Sequence, residues 1–97
     1  MVIITFTSLR EYALKNNRAK VAIFHWYSVA EKAGWSCLDD INKEFPSVDY
    51  VGNDRYVFNI KGNQYRLVAL IHFSTRTVYI RFIGSHSEYG KIEADFV

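Results

Sequence analysis

Arg55-Tyr56-Val57-Phe58-Asn59-Ile60-Lys61-Gly62-Asn63-Gln64-Tyr65-Arg66-Leu67-Val68-Ala69-Leu70-Ile71-His72-Phe73 decides the fold. Two runs rich in β-branched and aromatic residues flank Gly62-Asn63, a pair suited to a two-residue hairpin turn because glycine accepts the positive φ such turns need. That turn sets Ile60 opposite Tyr65, Phe58 opposite Leu67 and Asn59 opposite Arg66. A third run, Thr77 to Ile83, extends the pattern. A turn at Thr75-Arg76 sets Phe73 opposite Val78, Ile71 opposite Ile80 and Leu70 opposite Arg81.

Side chains alternate between sheet faces, so polarity tests this register. One face carries Tyr56, Phe58, Ile60, Tyr65, Leu67, Ala69, Ile71, Phe73, Val78, Ile80 and Phe82 without a charge, and is expected to pack on helices. The other carries Val57, Asn59, Lys61, Arg66, Val68, Leu70, His72, Tyr79, Arg81 and Ile83. It mixes apolar groups with cations and is expected to be only partly buried.

Upstream of Pro46, the single proline, the apolar spacing is helical. Val2, Ile3 and Ile4 read as a short strand. Ser8 and Glu11 have capping-box spacing before a helix from about Leu9 to Lys15. A second helix over Arg18 to Gly34 lines Ala22, Trp26, Val29, Ala30 and Ala33 along one stripe, with Gly34 as its left-handed cap. Ser36 is expected to cap a third helix through Leu38 and Ile41, which Pro46 ends. Helices followed by strands predict an α+β domain with an antiparallel sheet packed on N-terminal helices.

The chain has 97 residues, 49% of them hydrophobic and 16% aromatic. One core, residues 1–97 as a single domain, is what that length supports. The lone Cys37 cannot form an internal disulfide, no secretory signal is recognised, and no apolar run approaches the roughly 20 residues of a membrane-spanning helix. A soluble cytoplasmic protein without a membrane role is expected. A formal charge of +2 is too small to argue nucleic-acid binding from composition alone, so the placement of the charges must decide.

Arg66 and Arg81 fall on one face of neighbouring strands, with Asn59 and Lys61 beside them and the polar segment Ser85-His86-Ser87-Glu88-Tyr89-Gly90-Lys91 following. This constellation suits RNA cleavage by internal transfer. That reaction needs a group to take the 2′-hydroxyl proton, cations for the extra phosphate charge, and an acid for the departing 5′-oxygen. His86 supplies a proton-transfer group near neutral pH. Arg66 and Arg81 offer planar forks and Lys61 a point charge. Tyr89 is suited to stack on a splayed base or to donate to the phosphate.

Other chemistries lack their signatures. HExxH, CxxC, Walker A and GxGxxG are absent, so neither a catalytic metal nor a nucleotide cofactor is expected. Cys37 is remote in sequence from His86, which disfavours a thiol nucleophile. His25, Trp26 and Trp35 read as structural, and His72, with no polar neighbour in the register, as a packed or surface histidine.

The run Val57 to Val68, followed by Tyr79-Ile80-Arg81-Phe82-Ile83-Gly84-Ser85-His86-Ser87-Glu88-Tyr89, resembles the HigB-type toxins of the RelE superfamily. Trp26-Tyr27 with Ala30, Ala33 and Trp35 fits that family's helical half, so the resemblance covers nearly the whole chain. It implies a RelE-like fold and a ribosome-dependent, metal-independent mRNA endoribonuclease that inhibits translation. It also implies a cognate HigA-type antitoxin carrying a helix-turn-helix, with operator DNA bound only through the toxin–antitoxin complex. Carried over by position, the site residues are Lys61, Asn63, Arg66, Arg81, His86 and Tyr89. Ser85 stands where the family commonly has Thr, and Gly90 where it has Asp. The missing carboxylate keeps a second reading open, a catalytically weakened RNA- or ribosome-binding module of the same fold.

Overall fold

Alternation of apolar and polar side chains carries through into a five-stranded sheet in a computed structural model that describes residues 1–97. The elements in chain order are β1 (Val2–Ile4), α1 (Phe6–Lys15), α2 (Asn17–Lys32), α3 (Leu38–Glu44), β2 (Asp49–Gly52), β3 (Arg55–Ile60), β4 (Tyr65–His72), β5 (Thr77–Ser85) and α4 (His86–Tyr89). Spatial strand order is β1-β5-β4-β3-β2. The fold is α+β, as the sequence indicates, but the sheet is mixed. β1 runs parallel to β5, and the remaining pairs are antiparallel.

The parallel pair follows from how the chain leaves β1. Thr5, at φ 64°, turns directly into α1, and its hydroxyl bonds both the Ile80 carbonyl and the Ile80 amide, at 2.9 and 3.0 Å. Helix α1 therefore begins at Phe6, and Ser8 lies inside it, donating to the Thr5 carbonyl at 3.0 Å instead of capping. Two other expected caps also shift. Helix α2 ends at Lys32 with an extended Ala33, and Gly34 does not adopt a positive φ. Extension there lets Trp35 bury itself, stacked on Phe58 with ring centroids 6.2 Å apart. Cys37, free and exposed, occupies the N-cap of α3, while the Ser36 amide donates to Asp40 Oδ2 at 2.8 Å.

The β3–β4 register matches the one read from sequence, including Ile60 opposite Tyr65 and Asn59 opposite Arg66. Positive φ falls on Lys61 and Gly62. The β4–β5 register does not match. The connection is longer than a Thr75-Arg76 turn: the Arg76 amide bonds the Phe73 carbonyl at 3.1 Å, so Ile71 faces Val78, Leu70 faces Tyr79 and Ala69 faces Ile80. A bulge follows. Ala69 pairs with Ile80 but Val68 pairs with Phe82, leaving Arg81 as the extra residue. Beyond it the faces exchange, so Ile83 packs against the core and Phe82 moves to the opposite face.

The core lies between the helices and one sheet face. Leu9, Ala13, Ile23, Trp26 and Ala30 meet Phe58, Leu67, Ala69, Ile71, Val78 and Ile80 there. Phe58 is its hub, touched edge-on by Trp26 and Phe45 with centroids 5.2 and 5.4 Å away. Burying a side chain of that size contributes about 1.5–3 kcal/mol. On the outer face Val57 and Val68 are buried as well. The segment after α3, helix α4 and the chain's last residues cover that face only in part, which leaves a cleft.

Candidate functional site

Arg66 is the second residue of β4, between Asn59 of β3 and Gly84 of β5. Its fork is held in place: Nη2 donates to Asn63 Oδ1 at 2.7 Å and Nη1 to the Asn63 carbonyl at 3.1 Å. The hairpin turn thus orients the cation that the following strand presents. On its other side the guanidinium carbon lies 5.9 Å from the centre of the Tyr89 ring, within reach of a cation–π attraction.

Tyr89 is positioned by α4, which is short but well capped. The Ser85 hydroxyl accepts from the Glu88 amide at 3.1 Å, and Glu88 Oε1 accepts from the Ser85 amide at 2.8 Å. These reciprocal bonds form a capping box. Hydrogen bonding from Ser85 holds the Glu88 carboxyl below its ordinary range. Burial, and then the Glu88 charge beside it, raises the phenol of Tyr12 on α1 above its usual value. Behind Tyr89 lies Phe82, ring centroids 6.4 Å apart. Gly84 makes room for this arrangement, since a Cβ there would come within 2.6 Å of Phe82 Cζ.

Arg66, Tyr89, Asn59 and Val57 share a cleft of about 450 Å³ with Ser47 and Asp49 from the segment entering β2. The cleft offers a fixed guanidinium, a phenol, an amide, a hydroxyl and a carboxylate. Chemically, a guanidinium of this kind can pair with an anion such as phosphate, and a phenol ring can stack on a planar group.

Of the residues singled out from sequence, Asn63, Arg66 and Tyr89 are joined by direct contact. His86 opens α4, exposed, with its amide bonded to the Gln64 carbonyl at 3.0 Å, which ties the helix to the same hairpin turn. Lys61 is exposed in that turn and lines a neighbouring groove with Asn59.

Arg81 does not stand beside Arg66. The bulge places it three positions from Gly84, Arg66's partner, about 10 Å along the strand at roughly 3.3 Å per residue. Its Nε donates to the backbone oxygen of Val97 at 3.1 Å, and Arg55 donates to the same oxygen from Nε and Nη2 at 3.1 and 2.8 Å. The arginines share a face of the sheet but work at different ends of it. His72 has a polar neighbour after all, Asp54 Oδ2 at 3.9 Å. His25, Trp26 and Trp35 lie outside the cleft, and Trp26 and Trp35 are core residues.

Ser47, Asp49, Phe82 and Arg55 were not singled out from sequence. Gly52-Asn53-Asp54, all at positive φ, was the turn signal that could have revealed β2 and so placed Asp49 on this face.

The HigB_toxin family model, described as the RelE-like toxic component of a toxin-antitoxin system, matches residues 19–92. This chain belongs to the HigB toxin family. Among its relatives, the mRNA interferase toxin HigB of Escherichia coli strain K12 is 32% identical over 92 residues, covering 92% of this chain and 88% of the relative. The mRNA interferase HigB of Escherichia coli O6:H1 is 29% identical over 94 residues, covering 95% and 91%. The mRNA interferase HigB of Shigella flexneri is 32% identical over 92 residues, covering 92% and 88%. Membership of this family makes the chain the toxic component of a toxin–antitoxin system, with an antitoxin as partner and a RelE-like fold. No helix is long and apolar enough to cross a membrane.

Proposed function

We propose that this HigB-family toxin is an mRNA endoribonuclease that acts in the cytoplasm on transcripts engaged by the ribosome, as a single domain over residues 1–97, and cleaves without a metal. The carrying observation is the pre-aimed Arg66, fixed by Asn63 and set over Tyr89 in an open cleft. The names of its relatives, mRNA interferases, support the substrate class. In this reading cations and hydrogen-bond donors carry the transition-state charge.

In this mechanism the 2′-oxygen attacks the adjacent phosphorus, a cyclic phosphate forms and the 5′-oxygen leaves. Arg66 stabilises the equatorial phosphate oxygens through its fork. Lys61 and Asn63, at the hairpin tip, hold the neighbouring backbone. His86 carries the proton, and Tyr89 packs on a splayed base or donates to the phosphate. Arg81 binds the backbone of the next nucleotide along the sheet, at the expense of its bond to Val97. A HigA-type antitoxin with a helix-turn-helix neutralises the toxin, and operator DNA is bound only through that complex.

The test is primer extension on a translated mRNA. The parent chain cuts within the reading frame, with chelator present and only while ribosomes are engaged, and Arg66→Ala stops at full length. Removing one preorganised donor of this kind costs about a hundredfold or more in rate. RNA binding with no cut product from the parent chain would instead identify a non-catalytic binding module.

A further inference from the structure

A second concavity, of about 740 Å³, opens beside the cleft on the helical side of β3. Arg18, Val21 and Trp26 of α2 form one wall, Phe45 the other, and Asn59 and Lys61 the end nearest the cleft. Three of its features have no use within the chain. Val21 is 81% exposed. Arg18 and Lys61 have no carboxylate partner, and Glu44, the one carboxylate in the lining, already accepts from Trp35 Nε1 at 2.8 Å. The Trp26 indole N–H is buried with no hydrogen-bond acceptor.

We infer that this groove is where the antitoxin docks, through an acidic amphipathic segment. Apolar side chains of that segment cover Val21 and fill the space toward Phe45, and its carboxylates meet Arg18 and Lys61. Charge complementarity selects such a partner, and the apolar wall selects a peptide over RNA. Single-stranded RNA binds by stacking bases on free aromatic faces. Here Phe45 spends its ring on Trp35 and Phe58, with centroids 6.2 and 5.4 Å away, and Trp26 is only 1% exposed. A helix laid into a groove needs no free ring.

The location also gives the docked segment a means of inhibition. Asn59 lines both the groove and the cleft that holds Arg66 and Tyr89. A segment on the groove therefore covers Asn59 and Lys61 and excludes RNA from that edge without filling the cleft. The identity of the partner rests on family membership, and the inhibitory consequence on the nuclease reading.

The experiment titrates the purified cognate antitoxin onto the parent toxin, Val21→Glu and Arg18→Glu by calorimetry. Messenger RNA cleavage and thermal melting are measured on the same samples without antitoxin. Each variant is expected to bind about tenfold more weakly or worse, as for a central interface contact, with cleavage and melting unchanged. Hydrogen exchange on the parent complex is expected to slow over residues 17–26 and 44–45. Unchanged affinity in both variants, or protection confined to other elements, overturns the proposal. Impaired cleavage with full antitoxin affinity also overturns it and gives the groove to RNA. A parent toxin that cuts no mRNA but loses antitoxin affinity on Val21→Glu would leave the docking site standing and the nuclease reading refuted.

Discussion

Asn63 Oδ1 accepts from Arg66 Nη2 at 2.7 Å, so a side chain in the hairpin turn fixes the guanidinium that the next strand delivers to the cleft. Arg66→Lys keeps the charge but loses the planar fork and the bond to Asn63. It is expected to recover little of the activity lost in Arg66→Ala. Single-turnover cleavage of a ribosome-bound message measures this, and near-parental rates in the lysine variant would show that charge alone suffices.

Asn63→Ala leaves the guanidinium in place but free to rotate. Because Arg66 keeps only its weaker 3.1 and 3.4 Å bonds to the Asn63 and Tyr65 carbonyls, loss of orientation should fall mainly on kcat, by about tenfold. A change confined to KM would leave Asn63 only its contact with the RNA backbone and no part in aiming Arg66.

Legibility of this fold from sequence divides at two turns. The Gly62-Asn63 hairpin was readable because one glycine and two alternating runs leave a single register that segregates charge, and Asn59–Arg66 pairing followed from it. The β4–β5 turn was not readable. Phe73 looks like a strand residue, yet it belongs to the connection, and Arg76 takes φ 54° without being glycine. Nor does an arginine announce a bulge. Local polarity is satisfied equally well with Arg81 paired or extra, and only the fit of Ile83 to the core and of Phe82 over Gly84 decides it. Arg66 and Tyr89 could be gathered from the strand pattern because α4 follows β5 directly, whereas Asn63 came only with the family resemblance. The engagement of Arg81 with Val97 joins residues that no periodicity connects.

Arg81→Ala separates the two arginines experimentally. The bonds it loses are to Val97 and, in the proposed complex, to a flanking phosphate. The salt dependence of RNA binding should therefore flatten by about 0.7 logarithmic units, the share of one phosphate on a single strand. The cleavage rate at saturating RNA should fall far less than in Arg66→Ala. Hydrogen exchange at residues 93–97 should quicken in Arg81→Ala and in Arg55→Ala alike, because both hold the same oxygen. A loss of kcat equal to that of Arg66→Ala would put Arg81 at the scissile phosphate.

Acid should unpin α4 before it unfolds the sheet. The Glu88 carboxyl is held below its ordinary value by the Ser85 amide and hydroxyl, so its folded pKa lies below its unfolded one. The stability it contributes is therefore fully present above the ordinary glutamate value, about 4.3, and is lost as pH falls through the depressed folded value. Exchange of the amides of residues 85–89, followed from neutral pH downward, should rise over that window beyond the intrinsic trend. Glu88→Gln should remove the excess pH dependence, and Ser85→Ala should cost about 1 kcal/mol at neutral pH. With the capping box gone, Tyr89 is no longer held over Arg66, and cleavage should decline in Ser85→Ala although the removed hydroxyl does not touch RNA. Pinned amides at low pH together with full activity in Ser85→Ala would mean that packing of Tyr89 on Phe82, and not the capping box, positions the ring.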